Sequence, residues 1–329
     1  MSLKAHWRVV LLSLGVCVLL SYSTMFAAVS APNERSRVYL AVALVDHGTL
    51  SIDEPVRRFG AILDTARFDD HLYSDKAPGS SLLGAALYGV VRLFTPSSAW
   101  TIEQLIQLMR TALMVPLGLV GFWVLRKLLQ SLELRPGLVD LVSTGWILGT
   151  AAFHYSTAFY GHQIVATCLL LSLYFVERAE HSRTPTAAAL AAGTCAGFAG
   201  ITEYQAGIVS FFLALYVLAG PLRHQARAWL GFLAAALPFV LLLGAYHWLA
   251  FGGPFELSYH HLSHTHWQKI HTQGIGGITW PSAEALLGCT VSLHRGLFIT
   301  SPMFLLAFAG APVLWRHRRR LALLLSLDT

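Results

Sequence analysis

Charged residues are scarce in this chain of 329 residues: they make up 12%, roughly half of what a soluble globular domain carries. With 55% hydrophobic residues and a mean hydropathy of +0.57, the long apolar runs need lipid around them or a very large core. Cysteine is also sparse. Cys17, Cys168 and Cys195 fall inside apolar runs and Cys289 stands alone, which leaves neither a disulfide framework nor a metal-ligand spacing. Acidic residues are outnumbered, for a net charge of +6. The basic excess lies in short clusters between apolar runs, the distribution that the positive-inside rule leaves, and this excludes nucleic acid as the expected partner.

Lys4 and Arg8 precede an apolar stretch from Val9 to Val29, and Val29-Ser30-Ala31 has the look of a signal cleavage site. The stretch is longer than a signal core and Pro32 would follow the cut, so an uncleaved first helix with its N-terminus inside is expected. Further runs long enough to span a bilayer fall at 107–125, 137–154, 163–177, 185–202, 205–221, 228–250 and 297–315. Basic clusters at Arg126-Lys127, Arg178 to Arg183, Arg223 to Arg227 and Arg316 to Arg320 mark alternate connections as cytoplasmic. The fold class expected is therefore all-α: one polytopic transmembrane helix bundle over 1–329, with about eight spanning helices. It implies an inner (plasma) membrane location and a functional face outside the cytoplasm. Pro78 to Phe94, opened by Pro78-Gly79 and carrying Arg92, would invert the alternation if it crossed, so a juxtamembrane or re-entrant helix is expected there. Leu321 to Leu327 is too short to span. The extracytoplasmic parts are then 30–106, 155–162, a tight turn near 203, and 251–296.

Of the 17 carboxylates, 8 lie between Glu34 and Asp75, which makes the first outer loop the place to look for chemistry. Glu34 to Val45 reads as a helix along the membrane surface, with Tyr39, Val42 and Val45 inward, Asn33 as N-cap and Gly48 as its end. Asp69-Asp70 reads as turn chemistry. Lys76 sits where the loop re-enters the membrane, suited to an anionic headgroup. Arg110, His162, Glu203 and Arg295 take the outer ends of their helices, where snorkelling to headgroups or facing water are the plain alternatives. Asp140, near an inner helix end, is given no role. The 251–296 loop holds His260, His261, His264, His266 and His271. A metal site on a shared helical face lacks a carboxylate or cysteine to complete it, so a solvated aromatic loop is expected and no cofactor is assigned, a divalent metal being the outside alternative.

Asn33-Glu34-Arg35-Ser36-Arg37, Leu44 through Leu50, and Tyr73-Ser74-Asp75-Lys76-Ala77-Pro78 together resemble the first periplasmic loop of the GT-C membrane glycosyltransferases, within them the protein O-mannosyltransferase and lipid A aminoarabinose transferase group. Phe159 to His162, Gly200 to Tyr204, Phe251 to Phe255, Arg295 to Phe298 and Ser301-Pro302 extend the likeness over nearly the whole chain. The resemblance implies sugar transfer from a polyprenyl-phosphate carrier to an acceptor (lipid, glycan or protein) on the outer face. Such chemistry needs a carboxylate to take the acceptor proton and cations to hold the departing phosphate. It assigns the catalytic positions to Glu34 and Asn33, the phosphate to Lys76 with Arg110 and Arg295 as helpers, and puts Arg37, His162 and Glu203 nearby. Asn33, an amide, stands where the family has its first acid, so the base role falls to Glu34 or moves elsewhere. Relatives often place an Asp at the helix start where this chain has His162 or Gln163, and the family's C-terminal half is absent after Thr329. A transporter for an amphiphile and a non-catalytic membrane subunit are the competing classes. Charges at helix ends and the lack of an internal repeat count against the first; Asn33 favours the second.

Overall fold

The computed structural model describes residues 3–25, 30–180, 182–220, 222–274 and 279–327, without the side chains of 3–13, 317 and 327. Val29 of the cleavage-like triplet lies outside the described residues. The protein is 75% helical and 3% strand. In chain order the helices open with α1 (Leu3–Met25), α2 (Pro32–Val42, prolonged by a wider turn over Ala43–His47) and α3 (Asp53–Phe59). A hairpin of β1 (Thr65–Phe68) and β2 (His71–Ser74) leads into α4 (Gly79–Arg92). Then α5 (Ile102–Met109) runs through a wide turn at Arg110–Met114 into α6 (Val115–Ser131), followed by α7 (Pro136–Gly149), α8 (Ala151–Tyr155) and α9 (Gly161–Glu180). Next come α10 (Pro185–Thr202), α11 (Ala206–Ala219), α12 (Ala226–Phe251) and α13 (Thr265–His271). The chain closes with α14 (Ala283–Thr290), α15 (Leu297–Thr300), α16 (Leu306–His317) and α17 (Arg319–Leu327).

The hairpin is the exception to an all-α reading. Asp69 and Asp70 form its two-residue turn with φ of +48° and +61°, a left-handed pair that acidic side chains tolerate better than most. Gly48 stops the α2 extension in the left-handed conformation, φ +64°, as expected. The N-cap is Ala31, not Asn33: Pro32 has the fixed φ suited to the first helical position, which moves the cap one residue upstream of the proline. Nor is α2 a one-sided surface helix. Glu34, Ser36, Arg37 and every residue from Val38 to Val42 are buried, because α4, α5 and β2 enclose the helix.

Of three apolar cores among the described residues, two lie toward opposite ends of α9 to α12. One gathers Tyr39, Leu40, Tyr88, Met109, Phe159, Tyr246 and Phe251. The other joins Val176, Ala189, Val217, Phe232 and Leu324, from the C-terminal ends of α9 and α11 and the N-terminal ends of α10 and α12, with α17 laid across. Basic clusters at Arg178, Arg223 to Arg227 and Arg316 to Arg320 adjoin this second end. Helix α10 lies directly against α9 and α12; a Cβ on Gly193 would meet the Phe232 carbonyl oxygen at 2.0 Å, so only glycine permits that approach. Asp140, expected to have no role, binds Arg126 at 2.9 Å.

Among the described residues two continuous helices, Ile102–Ser131 and Ala226–Phe251, are long and apolar enough to cross a membrane. The expected run 137–154 is interrupted at Thr150, whose extended backbone caps α8, and the run 297–315 is interrupted at Ser301-Pro302. Helix α4 is 14 residues, about 21 Å, shorter than a bilayer core of about 30 Å.

Candidate active site

The segment 30–106 supplies most of the polar cluster, and α2 is its frame. Its first-turn residue Glu34 is 1% exposed and is surrounded by donors. Arg110, at the wide turn between α5 and α6, donates Nε to Oε1 at 2.8 Å and Nη2 to Oε2 at 2.6 Å. The backbone N–H of Phe159 reaches Oε1 at 2.7 Å and that of Ala31 reaches Oε2 at 3.3 Å. One carboxylate therefore ties α2 to α5 and to the turn before α9. A carboxylate so saturated is a structural joint, and Arg110 is held in the same joint.

One turn on, Arg37 is 1% exposed and links three elements. Its Nε donates to Asn33 Oδ1 at 2.9 Å, Nη1 to Ser80 Oγ of α4, and Nη2 to Glu203 Oε1 at 2.7 Å. Glu203 stands in the turn after α10 and presses against Gly161, where a Cβ would sit 2.1 Å from its Oε1. His162 follows with Nδ1 at 3.9 Å from that oxygen and its ring between Tyr155, 4.6 Å edge-on, and Tyr160, stacked at 6.0 Å. Asn33 acts here as an acceptor that orients Arg37.

Lys76 lies at the centre of the third group. Its Nζ is 2.9 Å from Asp75 Oδ2 and 3.0 Å from Asp64 Oδ2. The hairpin accounts for this geometry: Thr65 pairs with Ser74, so the same register continued by one residue sets Asp64 opposite Asp75. Asp75 is buried, accepts from Ser36 Oγ at 3.2 Å, and its carbonyl accepts from Ser258 Oγ at 2.8 Å. Burial pushes the Asp75 carboxyl up, against the pull of Lys76. Burial alone would lower the Lys76 ammonium, but Asp75 and Asp64 outweigh it and raise the pKa above its usual value. Neither aspartate was singled out from sequence. Asp75 was adjacent to a chosen residue, and Asp64 was legible only through the hairpin register.

An apolar groove of about 520 Å³ runs between α10, α11 and α12, lined by Gly197, Gly200, Phe211, Ala236 and Val240 among others. The lining Ser210 hydroxyl is spent on the Ala196 carbonyl at 2.9 Å. The other polar lining side chains, Tyr204, Gln205 and Tyr259, come from the turn after α10 and the loop after α12, the end that carries Lys76. Tyr204 Oη lies 3.3 Å from Ser258 Oγ and 3.1 Å from His247 Nε2, and its ring meets Tyr259 edge-on at 5.2 Å. Two hydrogen bonds thus separate the groove wall from the backbone of Asp75.

Arg295 is not part of this cluster: it is exposed between α14 and α15 and makes no ion pair or hydrogen bond among the described residues. In the histidine loop, the expected lack of a nearby carboxylate is corrected by Glu256, whose Oε1 is 2.9 Å from His260 Nδ1 and 3.0 Å from His261 Nε2. His271 stacks on Tyr259 at 4.5 Å. Among the described residues no group of three or more His, Cys, Asp or Glu side chains is arranged to hold a metal ion. Comparisons with protein-family models, curated proteins and solved structures give no match to this chain.

Proposed function

We propose that this chain is a multi-pass membrane glycosyltransferase that moves a sugar from a polyprenyl-phosphate carrier to an acceptor on the extracytoplasmic face. The observation that carries the reading is the relay just described. An apolar groove of about 520 Å³ ends two hydrogen bonds from Asp75, next to the lysine suited to a phosphate. The likeness of the 33–37, 44–50 and 73–78 segments to the GT-C first loop supports the same chemistry.

The membrane setting is supported by what α12 leaves uncovered. Leu237, Val240 and Leu241 are 53%, 62% and 64% exposed, a continuous apolar face that water does not tolerate. The basic clusters adjoin the opposite end from the Glu34–Lys76 region, as a cytoplasmic face requires.

In the reaction, the acceptor oxygen attacks the anomeric carbon as the bond from that carbon to the phosphate oxygen breaks. The electron pair stays on the phosphate, where Lys76 meets the developing charge. Arg37, with Asn33 and Glu203, holds α2, α4 and the α10 turn in register around that point. Glu34 and Arg110 fix α2 against α5.

Binding of polyprenyl monophosphate to the protein in lipid nanodiscs tests this. Wild type should bind, and Lys76→Gln should lose at least about tenfold in affinity, the equivalent of one charge-assisted contact. Equal binding by both removes Lys76 from the phosphate. A non-catalytic lipid-binding subunit is the second reading, favoured by Asn33 in the acid position and by the enclosure of Glu34; such a protein would bind the lipid and never turn over.

A further inference from the structure

The enclosure of Glu34 leaves the reaction without its expected base, and the cluster holds four carboxylates, Glu34, Asp64, Asp75 and Glu203, against three cations, Arg37, Lys76 and Arg110. Three of those acids are committed. Glu34 has its donors on both oxygens, with its side chain 2% exposed. Glu203 is held by Arg37 and packed on Gly161, its side chain 15% exposed. Asp75, 9% exposed, is bound by Ser36 and Lys76. Asp64 differs. Its side chain is 29% exposed and Lys76, held through Oδ2 alone, is its one partner among the described residues.

Asp64 also stands on the correct side. Lys76 lies between Asp75, which connects through Ser258 to the lipid groove, and Asp64, which connects to open space. A second cavity of about 330 Å³ is walled by Ser30, Pro32, Arg35 and residues 61–63, immediately before Asp64 in the chain. Gly60, with φ of +99°, begins this segment.

We propose that Asp64 is the catalytic base, released by counter-ion exchange: the donor phosphate takes Lys76 from Asp64, and the freed carboxylate accepts the acceptor proton. This rests on the glycosyl-transfer reading. A phosphate arriving at Lys76 competes with Asp64 for the same ammonium, so the base is unpaired only when a donor is in place. The acceptor O–H bond breaks with its proton passing to an Asp64 oxygen. The acceptor oxygen bonds to the anomeric carbon, and the carbon–oxygen bond to phosphate breaks with its electrons on the phosphate beside Lys76. No oxidant, reductant or further reactant is needed.

The test uses the full chain in nanodiscs with two readouts: affinity for polyprenyl monophosphate, and transfer from radiolabelled polyprenyl-phosphate sugars. Asp64→Asn removes the competitor and the base together. It should bind the lipid phosphate several-fold more tightly while turnover falls by about 10²–10⁴-fold. Asp64→Glu should restore part of the turnover, and the acidic limb of the pH–rate profile should be lost in Asp64→Asn. A variant with wild-type turnover, or one that binds the lipid phosphate more weakly, overturns the assignment and leaves Asp64 a structural partner of Lys76. Wild-type protein that binds the lipid but transfers nothing from any donor overturns the glycosyl-transfer reading itself, and the base with it. In that case tighter binding by Asp64→Asn would still establish the exchange at Lys76.

Discussion

Arg110 grips both carboxylate oxygens of Glu34, at 2.8 and 2.6 Å, in a pair almost completely sealed from solvent. Two backbone N–H groups complete the shell. Glu34 is thus the joint by which α2 is fastened to the turn between α5 and α6 and to the turn before α9.

Breaking that joint should be costly in stability before it is visible in catalysis. Glu34→Ala leaves the Arg110 guanidinium buried without its carboxylate, which should destabilise by about 3–5 kcal/mol. Thermal unfolding in detergent checks this. The double variant with Arg110→Met should recover part of the loss, because no orphaned charge remains.

Lys76→Met should show a stability defect that depends on pH. At neutral pH it leaves Asp75 and Asp64 facing each other with no cation between them, at a cost of about 3 kcal/mol. A carboxyl whose folded pKa is raised, as burial raises Asp75, adds stability below its unfolded value and loses it as pH rises through the folded one. The defect should therefore shrink on acidification. In the wild type the raised Lys76 works in the other direction on the alkaline side: its contribution is complete below the usual 10.5 and is lost only above it. Unfolding curves of both proteins between pH 4 and 8 check the acidic part.

The hairpin that positions Asp64 is pinned by Asp53, which accepts from the Leu72 N–H at 2.9 Å and lies 2.6 Å from His71 Nδ1. Burial opposes the Asp53 charge, but Ser51, His71 and Leu72 outweigh it and hold the pKa below the ordinary 3.8. Its contribution is thus present above the ordinary value and lost as pH falls through the lowered one. Asp53→Asn should loosen the hairpin by about 1 kcal/mol at neutral pH and abolish this acid dependence. Hydrogen exchange at the Leu72 amide reads both effects.

The groove wall has room for a Cβ at Gly200, where it would meet only the Gly207 Cα at an ordinary 3.8 Å. Gly200→Ala should therefore keep its melting temperature, and the bulkier Gly200→Leu should lower affinity for polyprenyl phosphate about tenfold. Gly193→Ala is the contrast: its Cβ would collide with the Phe232 carbonyl, and it should unfold more easily.

The helical class was legible from the apolar runs, and the Asp69-Asp70 turn and the Gly48 stop were legible from local chemistry. The interruptions at Thr150 and at Ser301-Pro302 were less visible, because apolar composition continues across both. The structure brings Lys76, Arg37, His162 and Glu203 into one region. Composition could not show how the charges pair. Glu34 and Arg110 are 76 residues apart and Arg37 and Glu203 are 166 apart, so which acid is sealed and which is open is decided by packing alone. Asp64 was within reach of sequence reasoning, since a two-residue turn at 69–70 fixes the register that sets it against Asp75. That step requires the hairpin first, inside a chain whose composition speaks almost wholly of helices.

Sugar transfer at Lys76 is tested first by following radiolabelled sugar from a panel of polyprenyl-phosphate donors with purified protein in lipid, wild type beside Lys76→Gln. The wild type should turn over at least one donor, and a Lys76→Gln protein shown by melting to be folded should turn over none. Equal turnover in the two proteins, or none in either across the panel, would contradict it.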